Sequence, residues 1–203
     1  MKTKYEKRIH PGVDFRFEES AEWPLSGHIA VFNLLSVDFG GWREKIAPGA
    51  FAESLKRDDI RALWNHVDDL VLGRLQSGTL ELEEDNVGLA FRNKPPETDW
   101  FKDRAVSLRR KDVTGASFGF YTDEDFWETN HQTGETTRTL KRVTLVEVSP
   151  GVTFPAYPQT EVGLRSFEAW KTGQEKLSAG QLAARSASFH SRERRLRLIE
   201  LGL

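Results

Sequence analysis

Short apolar or alternating runs, each cut off by turn-forming residues, recur through most of this chain and constrain its fold more than any other feature. In residues 79–83, Leu80 and Leu82 face one side while Thr79, Glu81 and Glu83 face the other, the period of a half-exposed strand. Asp85-Asn86 and Gly88 form a turn, and residues 89–92 return as the partner strand. Gly27 to Phe39 (GHIAVFNLLSVDF) is apolar and β-branched and reads as one buried strand, ended by Gly40-Gly41. Residues 63–73 are apolar except for Asn65, His66 and two aspartates. Residues 113–121 read as a strand around two glycines, 125–142 as a hairpin turning at 130–134, and 143–148 as a further strand. Pro150, Pro155 and Pro158 are expected to stop regular structure.

Helical signals are fewer. Pro48-Gly49 opens a short helix in which Phe51 and Leu55 share a face. Thr98 is placed to cap a second, with Asp99 in its first turn and Phe101, Ala105 and Leu108 at helical spacing. The first 25 residues mix charge with Phe15, Phe17 and Trp23 and read as a short strand or ordered arm. The sum is about six or seven strands and two or three helices. Strands joined by short turns, without strict strand–helix alternation, predict a mainly β fold with flanking helices, an antiparallel barrel or sandwich.

A chain of 203 residues with six Trp and thirteen Phe has the means to bury a core. Its formal net charge of -2 gives no global attraction to nucleic acid or an anionic membrane. Without cysteine there are no disulfides, no thiolate catalysis and no Cys-based zinc site. No apolar run approaches the ~20 residues of a membrane span, and no apolar signal core follows MKTKYEKRIH, so a cytoplasmic protein is expected. From about Phe167 the pattern changes to Gly, Ser, Ala and Arg, ending in SRERRLRLIELGL. We therefore expect a domain over 1–166 and a mobile or weakly helical tail over 167–203.

Three residues invite chemistry. Ser117 sits in VTGASFGFY with Gly115 and Gly119 two residues to either side. The G-x-S-x-G match suggests the nucleophile elbow of a serine esterase, but that elbow needs a helix directly after the serine. Phe118, Phe120 and Tyr121 alternate like a strand instead, and pattern alone favours a small residue in a tight strand. His66 is enclosed by Leu63-Trp64 and Leu70-Val71-Leu72; it is either a hydrogen-bonded core residue or a base held at a site, and alone it reads as core. Glu147 lies between Val146 and Val148 and is either an outward-facing glutamate or a carboxylate that orients a histidine. HExxH, P-loop and dinucleotide fingerprints are absent.

Five blocks in order carry a resemblance: GHIAVFN, EKIAPGAFAESL, LWNHVDDLVLGRLQSGTLELEEDNVGLAF, VTGASFGFY and LVEVSPGVTFPAYPQTEVGLRS. Together they resemble the prohead proteases of tailed phages, related in fold to the herpesvirus capsid-maturation proteases. The resemblance implies a closed antiparallel β barrel, often dimeric in the viral relatives. It implies a serine endopeptidase with Ser117 as nucleophile, His66 of the Asn65-His66 pair as base, and Glu147 as third member, a place held by histidine in the viral enzymes. The family often has Asp directly after the active histidine, where this chain has Val67 and then Asp68; neither Asp68 nor Asp69 is assigned a role. Implied substrates are the major capsid protein or its scaffold segment, a scaffolding protein, and the protease itself, inside the procapsid in the bacterial host. No cofactor, nucleic acid or membrane is implied. A capsid-assembly protein on the same fold without activity is the alternative.

Overall fold

In the computed structural model, residues 4–9, 15–153, 170–173 and 176 are described. The chain divides into two units, Met1–Val162 and Gly163–Leu203. In the second, residues 170–173 and 176 are helical; the rest of the expected tail, its boundary near 166, and the expected stops at Pro155 and Pro158 lie outside the described residues.

The first unit is built on two long strands. β9 (Gly115–Thr129) and β10 (Thr136–Val152) form one antiparallel ribbon. The sequence reading divided this region into two separate strands and a hairpin. Register shifts at four places, between Leu140 and Val152, break the alternation that pattern rules rely on while the ladder continues through them. Pro150 accordingly lies within β10, opposite Ala116 and beside one of these shifts, instead of ending the strand.

β10 uses its other edge twice. Its first half pairs in parallel with β4 (Trp42–Ile46), its second half with β5 (Arg61–Trp64). β5 turns into β6 (Val67–Arg74), and β1 (Glu6–Arg8) pairs antiparallel with β9. The order of this sheet is β1-β9-β10-β5-β6, with β4 beside β10. A second sheet has the order β2-β3-β8-β7, from β2 (Phe15–Phe17), β3 (Leu25–Val31), β7 (Leu80–Glu84) and β8 (Gly88–Asn93).

Mainly β with few helices is therefore the architecture, with ten strands among the described residues instead of six or seven. The larger sheet curls into a half-barrel and the smaller is open. No closed barrel forms among the described residues, and two of the pairings are parallel. The expected strand over residues 27–39 ends early. β3 stops at Val31, Asn33 takes a left-handed φ of 57°, and Leu34, Leu35 and Val37 are exposed before β4 begins.

One apolar cluster joins both sheets and both helices, α1 (Ala52–Arg57) and α2 (Asp99–Arg109). Phe51, Phe118 and Phe120 are fully buried in it, and each such side chain contributes roughly 1.5–3 kcal/mol. α2 buries Phe101, Ala105 and Leu108, the three residues its spacing predicts, although Thr98 makes no side-chain cap bond. α1 has a second task. Its buried Ser54 accepts a hydrogen bond from the Leu145 backbone N–H at 2.8 Å and donates to Asp58 at 2.7 Å. That holds β10 beside the register shift between Leu145 and Glu147. Among the described residues no helix is long and apolar enough to cross a membrane.

Candidate active site

The shift at Val146 sets the phase of everything after it. Leu145 and Val148 both point into the core, at 1% and 0% exposure, while Val146 is exposed at 38%. Unbroken alternation would have put Leu145 and Glu147 on one face. With the extra residue, Glu147 and Ser149 share the opposite face of the sheet from Val148. Glu147 is 3% exposed, so the outward-facing reading of this glutamate does not hold.

His66 reaches that face from the β5–β6 hairpin. Trp64 pairs with Val67, leaving Asn65 and His66 as a two-residue loop with φ of 50° and 61°. Two left-handed residues are what a type I′ hairpin demands; Asn tolerates them well, and histidine accepts some backbone strain. Three contacts fix the loop over the end of β10. The His66 backbone N–H donates to Ser149 Oγ at 3.0 Å, and the Thr153 N–H donates to Asn65 Oδ1 at 3.4 Å. The Trp64 ring lies against Gly151, where a Cβ would come within 2.6 Å of it.

The loop sets the imidazole against the carboxylate. His66 Nδ1 lies 2.6 Å from Glu147 Oε1. Ser149 Oγ donates to Glu147 Oε2 at 2.7 Å, and the Tyr5 hydroxyl donates to Oε1 at 2.9 Å. Because a carboxylate oxygen accepts at Nδ1, the proton of a neutral His66 sits there, and Nε2 carries the free lone pair. Nε2 is buried and has no hydrogen-bond partner among the described residues. Burial, and then the charge of Glu147, hold the Tyr5 phenol above its ordinary range, so it stays a neutral donor.

Ser117 stands on β9 directly opposite Ser149. It is fully buried, and its Oγ donates to the Arg8 carbonyl of β1 at 2.7 Å. The structure thus joins His66 and Glu147 by a hydrogen bond. Ser117 is one strand further on, its hydroxyl engaged by β1. β9 runs on from Ser117 to Thr129 with no helix after it, so the nucleophile-elbow geometry of a serine esterase is missing. Gly119 serves the site by close approach: a Cβ there would strike the Tyr5 hydroxyl and Glu147 Oε1.

Sequence reading missed two members of this cluster. Ser149 was within reach, since a residue two places after Glu147 on a strand shares its face. Tyr5 gave no signal, because it comes from the far end of the chain and joins through a three-residue strand. Among the described residues no group of three or more His, Asp or Glu side chains is placed to hold a metal ion.

A histidine hydrogen-bonded to a buried carboxylate, with its second nitrogen bare, is chemically able to accept a proton from a nearby hydroxyl. Residues 12–175 match the profile of the Caudovirus prohead serine proteases. The chain belongs to that family, a family of serine peptidases of capsid maturation. No curated protein and no solved structure matches the chain.

Proposed function

We propose that this chain is an endopeptidase that cleaves capsid-protein or scaffold segments within the procapsid, with Ser117 as nucleophile, His66 as base and Glu147 as the orienting acid. The observation that carries the reading is the bare, buried Nε2 of His66, whose other nitrogen is held by Glu147. Ser117 releases the Arg8 carbonyl, turns its hydroxyl to Nε2 and attacks a peptide carbonyl carbon. His66 takes the proton and delivers it to the leaving amine, while Glu147 stabilises the imidazolium. Water, activated by the same nitrogen, then releases the acyl group and restores Ser117. Substrates are the major capsid protein or its scaffold segment, a scaffolding protein, and the protease itself. A homodimer is part of the same family reading.

Co-expression with the cognate capsid protein tests this proposal. Wild type should shorten the capsid protein, and Ser117→Ala should leave it full length. A tail cleaved in cis should shorten the wild-type chain by mass spectrometry and leave the mutant intact. One observation favours the reading as a non-catalytic assembly protein: the Ser117 hydroxyl is bound to Arg8, not to His66. A serine-directed fluorophosphonate separates the two readings. Labelling of wild type at Ser117 supports the enzyme; its complete absence, with an intact capsid protein, supports the assembly role.

A further inference from the structure

The N-terminal strand touches the proposed site twice, and neither contact belongs to the triad. We propose that Tyr5 is a positioning residue, the hydroxyl through which β1 fixes the Glu147 carboxylate against His66. This proposal rests on the assignment of His66, Ser117 and Glu147 made above.

The geometry of the carboxylate carries it. Oε1 accepts from the His66 imidazole and from the Tyr5 hydroxyl, at 2.6 and 2.9 Å. Oε2 accepts from Ser149 at 2.7 Å. Tyr5 on Oε1 and Ser149 on Oε2 hold both oxygens independently of the imidazole, so the carboxylate cannot swing about its Cγ–Cδ bond and its line to His66 is set. The phenol is itself constrained. Its ring centroid lies 5.7 Å from that of Tyr121, and the Lys7 ammonium sits 5.7 Å from the ring on the other count. It reaches Glu147 across Gly119, where any side chain would block it.

The strand that delivers the phenol is anchored from its opposite face. Glu6 and Arg8, both buried, are bound into an ionic cluster with Glu44 and Arg138. Burial, followed by the Glu147 charge, keeps the hydroxyl protonated, so it remains a donor across the working range of a protease. The aromatic ring alone would fill the same space as phenylalanine. What the oxygen adds is the bond to Glu147.

Fluorophosphonate inactivation of the full-length protein tests the role, because its limiting rate and its saturation constant separate. Tyr5→Phe should lower the limiting rate on the order of 10-fold and leave the saturation constant unchanged. The His66 Nδ1–H proton resonance should shift or broaden, and the melting midpoint should stay near wild type. Gly119→Ala reaches the same contact from the other side and should lose at least as much rate, since its methyl would meet both the Tyr5 hydroxyl and Glu147 Oε1. Ser117→Ala and His66→Ala are the controls. Labelling that persists in Ser117→Ala would refute the triad assignment, while the resonance would still report on Tyr5. If the controls lose labelling but Tyr5→Phe matches wild type in rate and resonance, the positioning role is overturned.

Discussion

On one face of β1, Glu6 and Arg8 join Glu44 and Arg138 in a cluster where every charge is answered. Arg138 alone meets Glu6 and Glu44 at 3.0 Å and Asp125 at 2.7 Å, and Thr122 donates to Glu6 at 2.7 Å. On the other face, Tyr5 enters a cluster of His66, Glu147 and Ser149 in which His66 Nε2 has no partner among the described residues. The first cluster is buried at Glu6, Arg8, Glu44 and Arg138 and the second half-buried at Tyr5 and His66; both draw on β10 and on residues 5–8. A polar network closed on itself has nothing left to offer a substrate and serves to hold strands together. A network with one bare basic nitrogen bears the cost of an unmade bond, and such a cost is characteristic of a site. The comparison predicts that mutations in the first cluster act on stability and those in the second on turnover.

The largest effect should come from the proposed nucleophile and base. Ser117→Ala and His66→Ala should each lower cleavage by at least about 10⁴-fold, some 5 kcal/mol in barrier, with little change in melting midpoint. The double mutant should be hardly worse than either alone, since both residues serve one step. Multiplicative losses in the double mutant would break the unit apart.

Arg138→Leu is the matching experiment on the other face. It leaves two buried carboxylates, Glu6 and Glu44, sharing the single charge of Arg8, removes the Asp125 ion pair, and should cost about 3–5 kcal/mol in denaturant unfolding. Turnover of the molecules that remain folded should fall far less. A stable Arg138→Leu protein that has lost activity would reverse the comparison.

Glu147→Gln comes next. The amide keeps the shape but no longer stabilises the imidazolium, and it presents an NH₂ where Oε1 or Oε2 accepts. We expect a loss of about 100-fold in cleavage rate, smaller than for Ser117 or His66, with stability nearly unchanged. Full activity across pH would remove Glu147 from the third place.

How far these regions were legible in the sequence follows from what sets each one. The β7–β8 hairpin and α2 were readable because local alternation, a turn at Asp85-Asn86 and helical spacing of Phe101, Ala105 and Leu108 all act within a few residues. Ser117, His66 and Glu147 were named from the order of sequence blocks; pattern alone read the first two as structural. Strand alternation did put Glu147 on the face opposite Val148, but not out of phase with Leu145, because the shift at Val146 reverses the phase there, and that shift is held by Ser54 from α1. The ionic cluster was illegible for the same reason as Tyr5. Its members lie up to 132 positions apart in the sequence, and it takes the pairings of β1 with β9, β9 with β10 and β10 with β4 to bring them together.

The smallest predicted effect concerns acid and sharpens the account of the closed cluster. Burial by itself would raise the Glu6 carboxyl, but Arg8 and Arg138 outweigh it and hold the group below its ordinary range. In the unfolded chain the same carboxyl titrates near about 4.3. A carboxyl depressed on folding contributes stability that is complete above its unfolded value. That contribution is lost as pH falls from there through the folded value, because the unfolded chain takes up the proton first. Glu6→Gln removes this proton difference while Arg138 keeps Glu44 and Asp125 as partners. The mutant should be less stable at neutral pH, yet its stability should fall less steeply below about pH 4.3, by up to about 1.4 kcal/mol per pH unit. Urea unfolding of both proteins between neutral and acid pH gives the two slopes. Parallel slopes would mean that the Glu6 carboxyl is not tied to folding, and that Arg8 and Arg138 hold β1 in place through Glu44 alone.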